Sequence, residues 1–203
     1  MLAAGAGRRF GEPKQLASLD ARPLLEHALA AMSAAATVGR TVVVLGSDAE
    51  RILAAVSMHG ASAVICEDWE EGQAASLRAG VAALAELADA IVVTLGDQPA
   101  IDARAIDRVV NARGGSAVAL RATYGGRPGH PVVLERELFA RAAALRGDQG
   151  ARNLLAAVTV GLVACDGLGS DSDVDTIEQL EREQDRRGGA SGRDLSAGES
   201  MSR

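Results

Sequence analysis

Aromatic residues are almost missing from this 203-residue chain: Phe10, Trp69, Tyr124 and Phe139 are all it has. Base-stacking platforms for a single strand are therefore absent. The net charge is −6 at pH 7 and no block of basic residues interrupts it, which argues against a nucleic-acid or acidic-membrane partner. Cys66 and Cys165 are too few and too separated for a disulfide framework or a zinc site, so they read as reduced, buried thiols of a cytoplasmic protein. No apolar run approaches the roughly 20 residues of a membrane-spanning helix. Arg8-Arg9-Phe10 looks superficially like a twin-arginine signal, but Gly11-Glu12-Pro13-Lys14 stands where an apolar run is required. Lysine is scarcest of all. Lys14 is the only one among 21 basic side chains, so a compact ammonium is expected to be needed there and a planar guanidinium elsewhere to suffice.

What the chain does contain is apolar aliphatic residue, 48% of it counted with the aromatics and cysteines, enough for one sizeable core. Short apolar runs at 41–45, 63–66, 90–95, 117–120, 131–134 and 160–164 alternate with helical patterns near 22–35, 48–58, 73–88, 102–113, 135–145, 150–157 and 174–185. Runs without polar alternation suit strands covered on both faces. The expectation is one α/β domain over 1–185 with a doubly wound, mostly parallel, Rossmann-like sheet. Asp48, Asp102 and Asp173 stand where helix N-caps belong. Residues 186–203 are Gly, Ser, Arg and Asp with few apolar residues, and are expected to form a disordered tail.

Gly5 to Lys14 follows the first short strand and precedes a helix, as phosphate-binding loops do. Two familiar loops are excluded. Gly5-x-Gly7-x-x-x-Gly11 has one residue too many for the dinucleotide fingerprint, and no acidic residue ends the next strand. Gly11-Glu12-Pro13-Lys14 also lacks the Gly-Lys-Ser/Thr ending of a P-loop. Leu95-Gly96-Asp97-Gln98-Pro99 places an Asp at the carboxyl end of an apolar strand, where open α/β sheets bind ligands and a carboxylate can hold Mg²⁺ on a nucleotide phosphate.

Read together, Leu2-Ala-Ala-Gly5-x-x-x-Arg9-x-Gly11-x-Pro13-Lys14, Trp69-Glu-Glu-Gly72 with Ser76-Leu-Arg-Ala-Gly80, Leu95–Pro99, Gly126-x-x-Gly129-His130-Pro131-Val132, Gly147-Asp148-x-Gly150-Ala151-Arg152 and Asp173-x-Asp175-Thr176 resemble the MobA-like nucleotidyltransferases. Within that group the chain is most similar to the molybdenum cofactor cytidylyltransferases, over about residues 1–183. The resemblance implies the nucleotide-diphospho-sugar transferase type of sheet and transfer of CMP from CTP to the terminal phosphate of molybdopterin or molybdenum cofactor, with Mg²⁺. It implies Asp97 and Asp175 as metal ligands, with Asp173 as the substitute for the second. Lys14 and Arg9 would neutralise the departing pyrophosphate, assisted by the amides of Gly5 to Gly7. Ser76, Arg78 and the Ala3–Ala4 backbone would frame the base, and Arg127, Gly129 and His130 would lie toward the acceptor. A molybdoenzyme client or its chaperone is the implied protein partner.

Duller readings stand beside several of these. Arg78 also suits a solvated helix face, His130 a structural hydrogen bond, Asp173 a helix cap and Trp69 a packing anchor, while Asp148 and Arg152 read as local pairing at a turn. The chain departs from the family pattern at Gly7, Ile177 and Gln179. Another phosphorylated acceptor, an NAD(P)H-dependent oxidoreductase, or a non-catalytic molybdenum cofactor chaperone are the alternative functions.

The strand feeding the first loop is short, because only Met1 to Ala4 precede Gly5. The expectation is that the natural chain starts a few residues upstream. Adding about four apolar residues before Met1 should raise the melting temperature; an unchanged value would refute this.

Overall fold

The computed structural model describes residues 1–7, 10–147 and 151–194, with side chains through 188. Seven strands form one continuous layer: β1 (Leu2–Ala3), β4 (Val42–Leu45), β5 (Ser62–Ile65), β6 (Ala90–Val93), β7 (Ala119–Tyr124), β8 (Arg127–Glu135) and β9 (Val160–Ala164). Two ladders, β1-β4-β5 and β6-β8-β7-β9, are joined where Leu2 pairs in parallel with Leu95. Leu2 N donates to Thr94 O and Gly96 N donates to Leu2 O, both at 2.9 Å. The order is thus β5-β4-β1-β6-β8-β7-β9, parallel except for β8, which runs antiparallel to both neighbours. A small hairpin of β2 (Ser18–Leu19) and β3 (Arg22–Pro23) stands apart.

Both faces of this layer are covered. Residues Val43 and Leu45 of β4 pack with Leu25 and Leu29 of α1 (Leu24–Ala34), Ile52 of α2 (Ala49–Ala55) and Ile106 of α4 (Ala103–Asn111). Val42 and Val44 alternate to the opposite face against Ala75 of α3 (Gln73–Leu84). Further along that face, Ile91, Val93, Val132 and Leu134 meet Leu77 and Val81 of α3, Phe139 of α5 (Phe139–Ala143) and Leu154 of α6 (Ala151–Ala156). A strand buried on both sides cannot alternate polar with apolar, which is why the central runs are solidly aliphatic. Cys66 and Cys165 are buried free thiols in these layers. Among the described residues, no helix is long and apolar enough to cross a membrane.

Several boundaries differ from those expected. The expected strands at 117–120 and 131–134 are the ends of a longer hairpin, β7–β8, turning at Gly125-Gly126. Asp102 does cap α4, accepting from Arg104 N at 2.7 Å. Asp48 instead adopts a left-handed backbone and makes no capping bond. Asp173 is not a cap either, since α7 (Ile177–Asp194) starts later and its first turn is closed by a reciprocal pair. Thr176 Oγ1 accepts from Gln179 N at 3.3 Å, and Gln179 Oε1 accepts from the amides of Thr176 (3.0 Å) and Asp175 (2.6 Å).

The expected tail begins too early at 186. Helix α7 runs on to Asp194 because Arg187 ties it down, donating to Pro99 O at 2.7 Å, Asp20 at 3.3 Å and Glu183 at 3.1 Å. At the opposite end, β1 pairs over only two residues, and the buried Met1 amine donates to Val42 O at 2.8 Å. Burial pushes that amine down to about 5.

Gly96 marks where β6 crosses closest to β1. A Cβ there would come within 2.7 Å of Leu25 Cδ1 and 2.8 Å of Ala3 Cβ. Gly96→Ala should therefore lower stability by about 1–3 kcal/mol, as overpacking of a tight core does. Urea unfolding measures this, and a cost near zero would mean the crossing has slack.

Candidate active site

At the carboxyl ends of β1 and β6 the sheet opens into a cavity of about 770 Å³. Its lining draws on the first loop, α3, the segment after β6, the β7–β8 hairpin, α6 and residues 171–175.

Lys14 is at its centre. Nζ donates to Asp97 Oδ2 and to Asp175 Oδ1, each at 2.7 Å. The two carboxylates, whose charges oppose the burial penalty on the ammonium, leave its pKa raised. The loop is built to deliver it. Gly7 has φ +57°, and a Cβ there would sit 3.0 Å from Lys14 N, so the chain doubles back against its own lysine. Gln15, buried to 4% exposure, donates from Nε2 to Ala3 O and Gly5 O at 2.8 Å each and fixes the loop's first turn. Asp97 is held by its own backbone, where Val174 N donates to Asp97 O at 2.9 Å. Gln179, which departs from the family pattern, fixes the Asp175 backbone through the cap already described.

Ala3, Ala4, Gly5, Gly7, Ser76, Gly129 and His130 all line the cavity with Lys14, Asp97, Asp173 and Asp175. Arg78 and Arg127 do not. The Arg78 guanidinium turns away to Glu71 (2.8 Å) and Leu145 O (3.0 Å), tying α3 to its surroundings. Arg127 is exposed near the tip of the β7–β8 hairpin and does not line the cavity. Arg9 and Asp148 lie outside the described residues.

The two neighbouring aspartates have distinct settings. Asp175 meets Lys14, whereas Asp173 Oδ1 accepts from Gln98 Nε2 at 2.8 Å. Burial, and then the charges of Asp97 and Asp175, raise the Asp173 pKa. Gln98 also donates to Asp171 O at 2.9 Å. His130 Nδ1 stands 3.4 Å from the same amide nitrogen, whose two hydrogens already serve Asp173 and Asp171 O.

Two carboxylates of this kind form a hard, oxygen-donor pair suited to Mg²⁺ or Mn²⁺. Asp97 Oδ1 is buried with no hydrogen-bond partner, so one carboxylate oxygen remains available to such an ion. Among the described residues, no cluster of three or more His, Cys, Asp or Glu takes up ligand geometry on its own. Any ion held here would need oxygens from a bound substrate or water.

Gln15, Gln98, Arg121 and Asp171 were not singled out from the sequence. The two glutamines directly follow Lys14 and Asp97, and that adjacency was the available signal. Arg121 interrupts an otherwise apolar strand, a second signal that the strand faces a site.

Comparison with known proteins identifies the family. The MobA-like NTP transferase domain matches residues 1–162. The chain belongs to this family. Nicotine blue oxidoreductase from Paenarthrobacter nicotinovorans is 34% identical, over 90% of this chain and 93% of that protein. Rv0371c from Mycobacterium tuberculosis H37Rv is 32% identical with a TM-score of 0.81, covering 91% of this chain and 95% of its own. A crystal structure of Rv0371c in complex with manganese aligns with a TM-score of 0.75 at 29% identity, over 91% of this chain and 95% of that one. CMP:2-keto-3-deoxy-manno-octonic acid synthetase complexed with CTP, at 13% identity and a TM-score of 0.72 over 94% and 96% of the two chains, shares the fold alone. The architecture is therefore the nucleotide-diphospho-sugar transferase type. Several other relatives are longer bifunctional proteins, GlmU and IspD/IspF, of which this chain spans between 26% and 38%.

Burial, reinforced by Arg121, pushes the His130 imidazole down to about 4 from 6.5. The unfolded chain thus binds the extra proton between these values. This part of the stability is complete above pH 6.5 and is lost as pH falls toward 4, on the order of 3 kcal/mol in all. Urea unfolding at pH 7.5 and 5.0 should show the loss, and His130→Gln should flatten it relative to the parent protein. An identical slope in the variant would assign the acid sensitivity to other groups.

Proposed function

We propose that this chain is a divalent-metal-dependent nucleotidyltransferase that moves CMP from CTP onto the terminal phosphate of molybdopterin or its molybdenum form. The observation that carries this reading is the Lys14 ammonium, set 2.7 Å from both Asp97 and Asp175 at the foot of the glycine-rich loop. Family membership and the manganese complex of Rv0371c support it.

In the reaction, an acceptor phosphate oxygen forms a bond to the α-phosphorus. The bond from that phosphorus to the β-phosphate oxygen breaks, and pyrophosphate leaves with the electron pair. Such chemistry needs positioning and charge neutralisation more than a protein nucleophile. Asp97 and Asp175 would hold Mg²⁺ or Mn²⁺, which when bound neutralises phosphate charge and polarises the reacting centre. The backbone of Ala3 and Ala4 with Ser76 would receive the base. Amides of Gly5 to Gly7 would face the phosphates, and the family resemblance assigns Arg9 to the same task. Lys14 would follow the departing pyrophosphate as a mobile point charge, a role a planar guanidinium fills poorly. Gly129 and His130 would border the acceptor. A molybdoenzyme or its chaperone would receive the product.

A second reading is an oxidoreductase, favoured by the name of the 34%-identical relative. The glycine spacing of the first loop, which is not that of the dinucleotide fingerprint, weighs against it.

Pyrophosphate release should be measured with Mg²⁺ or Mn²⁺, molybdopterin with and without molybdenum, and CTP, GTP or ATP in turn. Release with CTP supports the proposal; release only with another triphosphate reassigns the base, and none with any triphosphate defeats it. Calorimetric binding of NADH or NADPH would favour the second reading. Lys14→Arg should fold but turn over roughly 10²-fold more slowly, the scale of losing one preorganised charge donor. Full activity would remove Lys14 from the site.

A further inference from the structure

The cavity has a second charged end that the roles above leave unused. Arg121, in the middle of β7, and Arg152, on α6, both line it. Most arginines of this protein with a recorded partner face a carboxylate: Arg51 meets Asp48, Arg104 meets Asp102 and Arg113 meets Glu135, for example. Among the described residues, Arg108, Arg146 and Arg182 donate only to backbone carbonyls. Arg121 and Arg152 likewise have no ion pair among the described residues, but they line the cavity. Arg121 donates to backbone carbonyls instead, from Nε to Gly129 O at 3.0 Å and from Nη2 to Pro128 O at 3.3 Å. Those bonds extend the side chain along β8 and fix its guanidinium within the cavity, with donors still to spare.

The pair is an unfavourable arrangement by itself. Arg121 is partly desolvated, and the Arg152 charge adds repulsion; both push its pKa down, with Asp171 only partly offsetting them. A half-buried guanidinium held in place, with the exposed Arg152 charge beside it, points to an anion that joins the two. Position says which substrate brings it. Lys14 meets Asp97 at the end of β6, whereas Arg121 stands on β7, beyond β8, and reaches back over β8 to the Gly129 and Pro128 carbonyls. The guanidinium therefore faces the same cavity from the side away from the first loop.

We propose that Arg121 and Arg152 form the acceptor's anion site, and that the second substrate is a phosphate monoester whose phosphate this pair holds for attack. The assignment rests on the nucleotidyltransferase reading for its chemistry, but its test reads binding. Arg152 belongs to the Gly147-Asp148-x-Gly150-Ala151-Arg152 segment, one of the pieces that carry the family resemblance, where its own reading was local pairing at a turn and a helix start.

Inorganic phosphate serves as the probe. Calorimetric titrations should be run on the full chain with Mg²⁺ and the α,β-methylene analogue of CTP, for the parent, Arg121→Gln, Arg152→Gln and Lys14→Met proteins. Arg152 makes no hydrogen bond within the described residues, so Arg152→Gln keeps the test valid even where Arg121→Gln disturbs β8. The expected result is at least a 10-fold loss of phosphate affinity in each arginine variant, with triphosphate affinity unchanged within about 3-fold. Phosphate should also raise the melting temperature of the parent and not of Arg152→Gln. Phosphate affinity unchanged in Arg152→Gln overturns the assignment. So does a loss confined to Lys14→Met, which places the anion at the first loop. Failure of the parent to bind any triphosphate analogue, with the arginine-dependent phosphate site intact, instead defeats the nucleotidyltransferase reading and leaves an anion site.

Discussion

One ammonium group joins the three parts of the chain that make this site. Lys14 reaches Asp97 across 83 residues of sequence and Asp175 across 161, so a single side chain fastens the first loop to the end of β6 and to the segment leading into α7. The contact is part-buried rather than sealed, with Asp175 39% exposed on its side chain. Removing the lysine would leave two adjacent carboxylates facing each other. The cost would be on the order of 1–3 kcal/mol, below that of a fully buried pair because solvent screens Asp175. Geometry matters as much as energy. A small ammonium can approach two carboxylates at 2.7 Å and still turn a third donor elsewhere. A guanidinium offers the same charge in a rigid fork better suited to one carboxylate at a time.

The surrounding architecture reads as support for that contact. Gly7 lets the loop close on the backbone of Lys14, and Gln15 pins the carbonyls of Ala3 and Gly5. Gly96 lets β6 graze β1, which sets the height at which Asp97 leaves the sheet. The backbone of Asp97 then pairs with Val174, and Gln179 caps α7 through the amides of Asp175 and Thr176. Arg187 closes the arrangement from behind by binding Pro99 O, two residues beyond Asp97. Local rules of turn, cap and close approach therefore converge on one point, as expected where a site is held by rigid elements.

Legibility in the sequence followed the physics of each residue. The aliphatic runs revealed the sheet because burial on both faces demands them, and the glycine spacing with its lone lysine revealed the first loop. Asp97 was visible only in company, since Gly-Asp-Gln-Pro alone suits a turn or a cap and it was the apolar strand before it, together with the first loop, that pointed to a ligand. Asp175 was different. Its distance from Lys14 is a product of the whole fold, and only family resemblance pointed to it. Arg121 escaped because the apolar run was read as stopping at Leu120, whereas the strand continues through the arginine to Tyr124. Arg78 was drawn in by its motif, yet on α3 its side chain points to Glu71 and Leu145 rather than to the cavity. Helical position alone did not reveal that direction. The antiparallel turn of β8 was equally hidden, since an apolar run does not encode which way its strand points.

Charge balance gives the site its direction. Asp97, Asp173 and Asp175 stand around one lysine, and the Asp173 pKa is raised by burial first and then by the charges of the other two carboxylates. Gln98 eases part of it by donating to Asp173, but an amide supplies a dipole and not a charge. The Lys14 ammonium cancels one carboxylate of three. Asp97 Oδ1 lies buried without a partner on the same group. A divalent cation would meet both deficits at once, and a second cation at this point would free Lys14 to follow phosphate instead of carboxylate. At the far end the imbalance has the opposite sign, with Arg121 and Arg152 set against the single carboxylate of Asp171. On the proposed reading, a cavity with surplus negative charge at one end and surplus positive charge at the other would suit two substrates, a metal-bearing polyphosphate on the carboxylates and a phosphate ester on the arginines. The transfer would then run along the carboxyl edge of the sheet from one to the other.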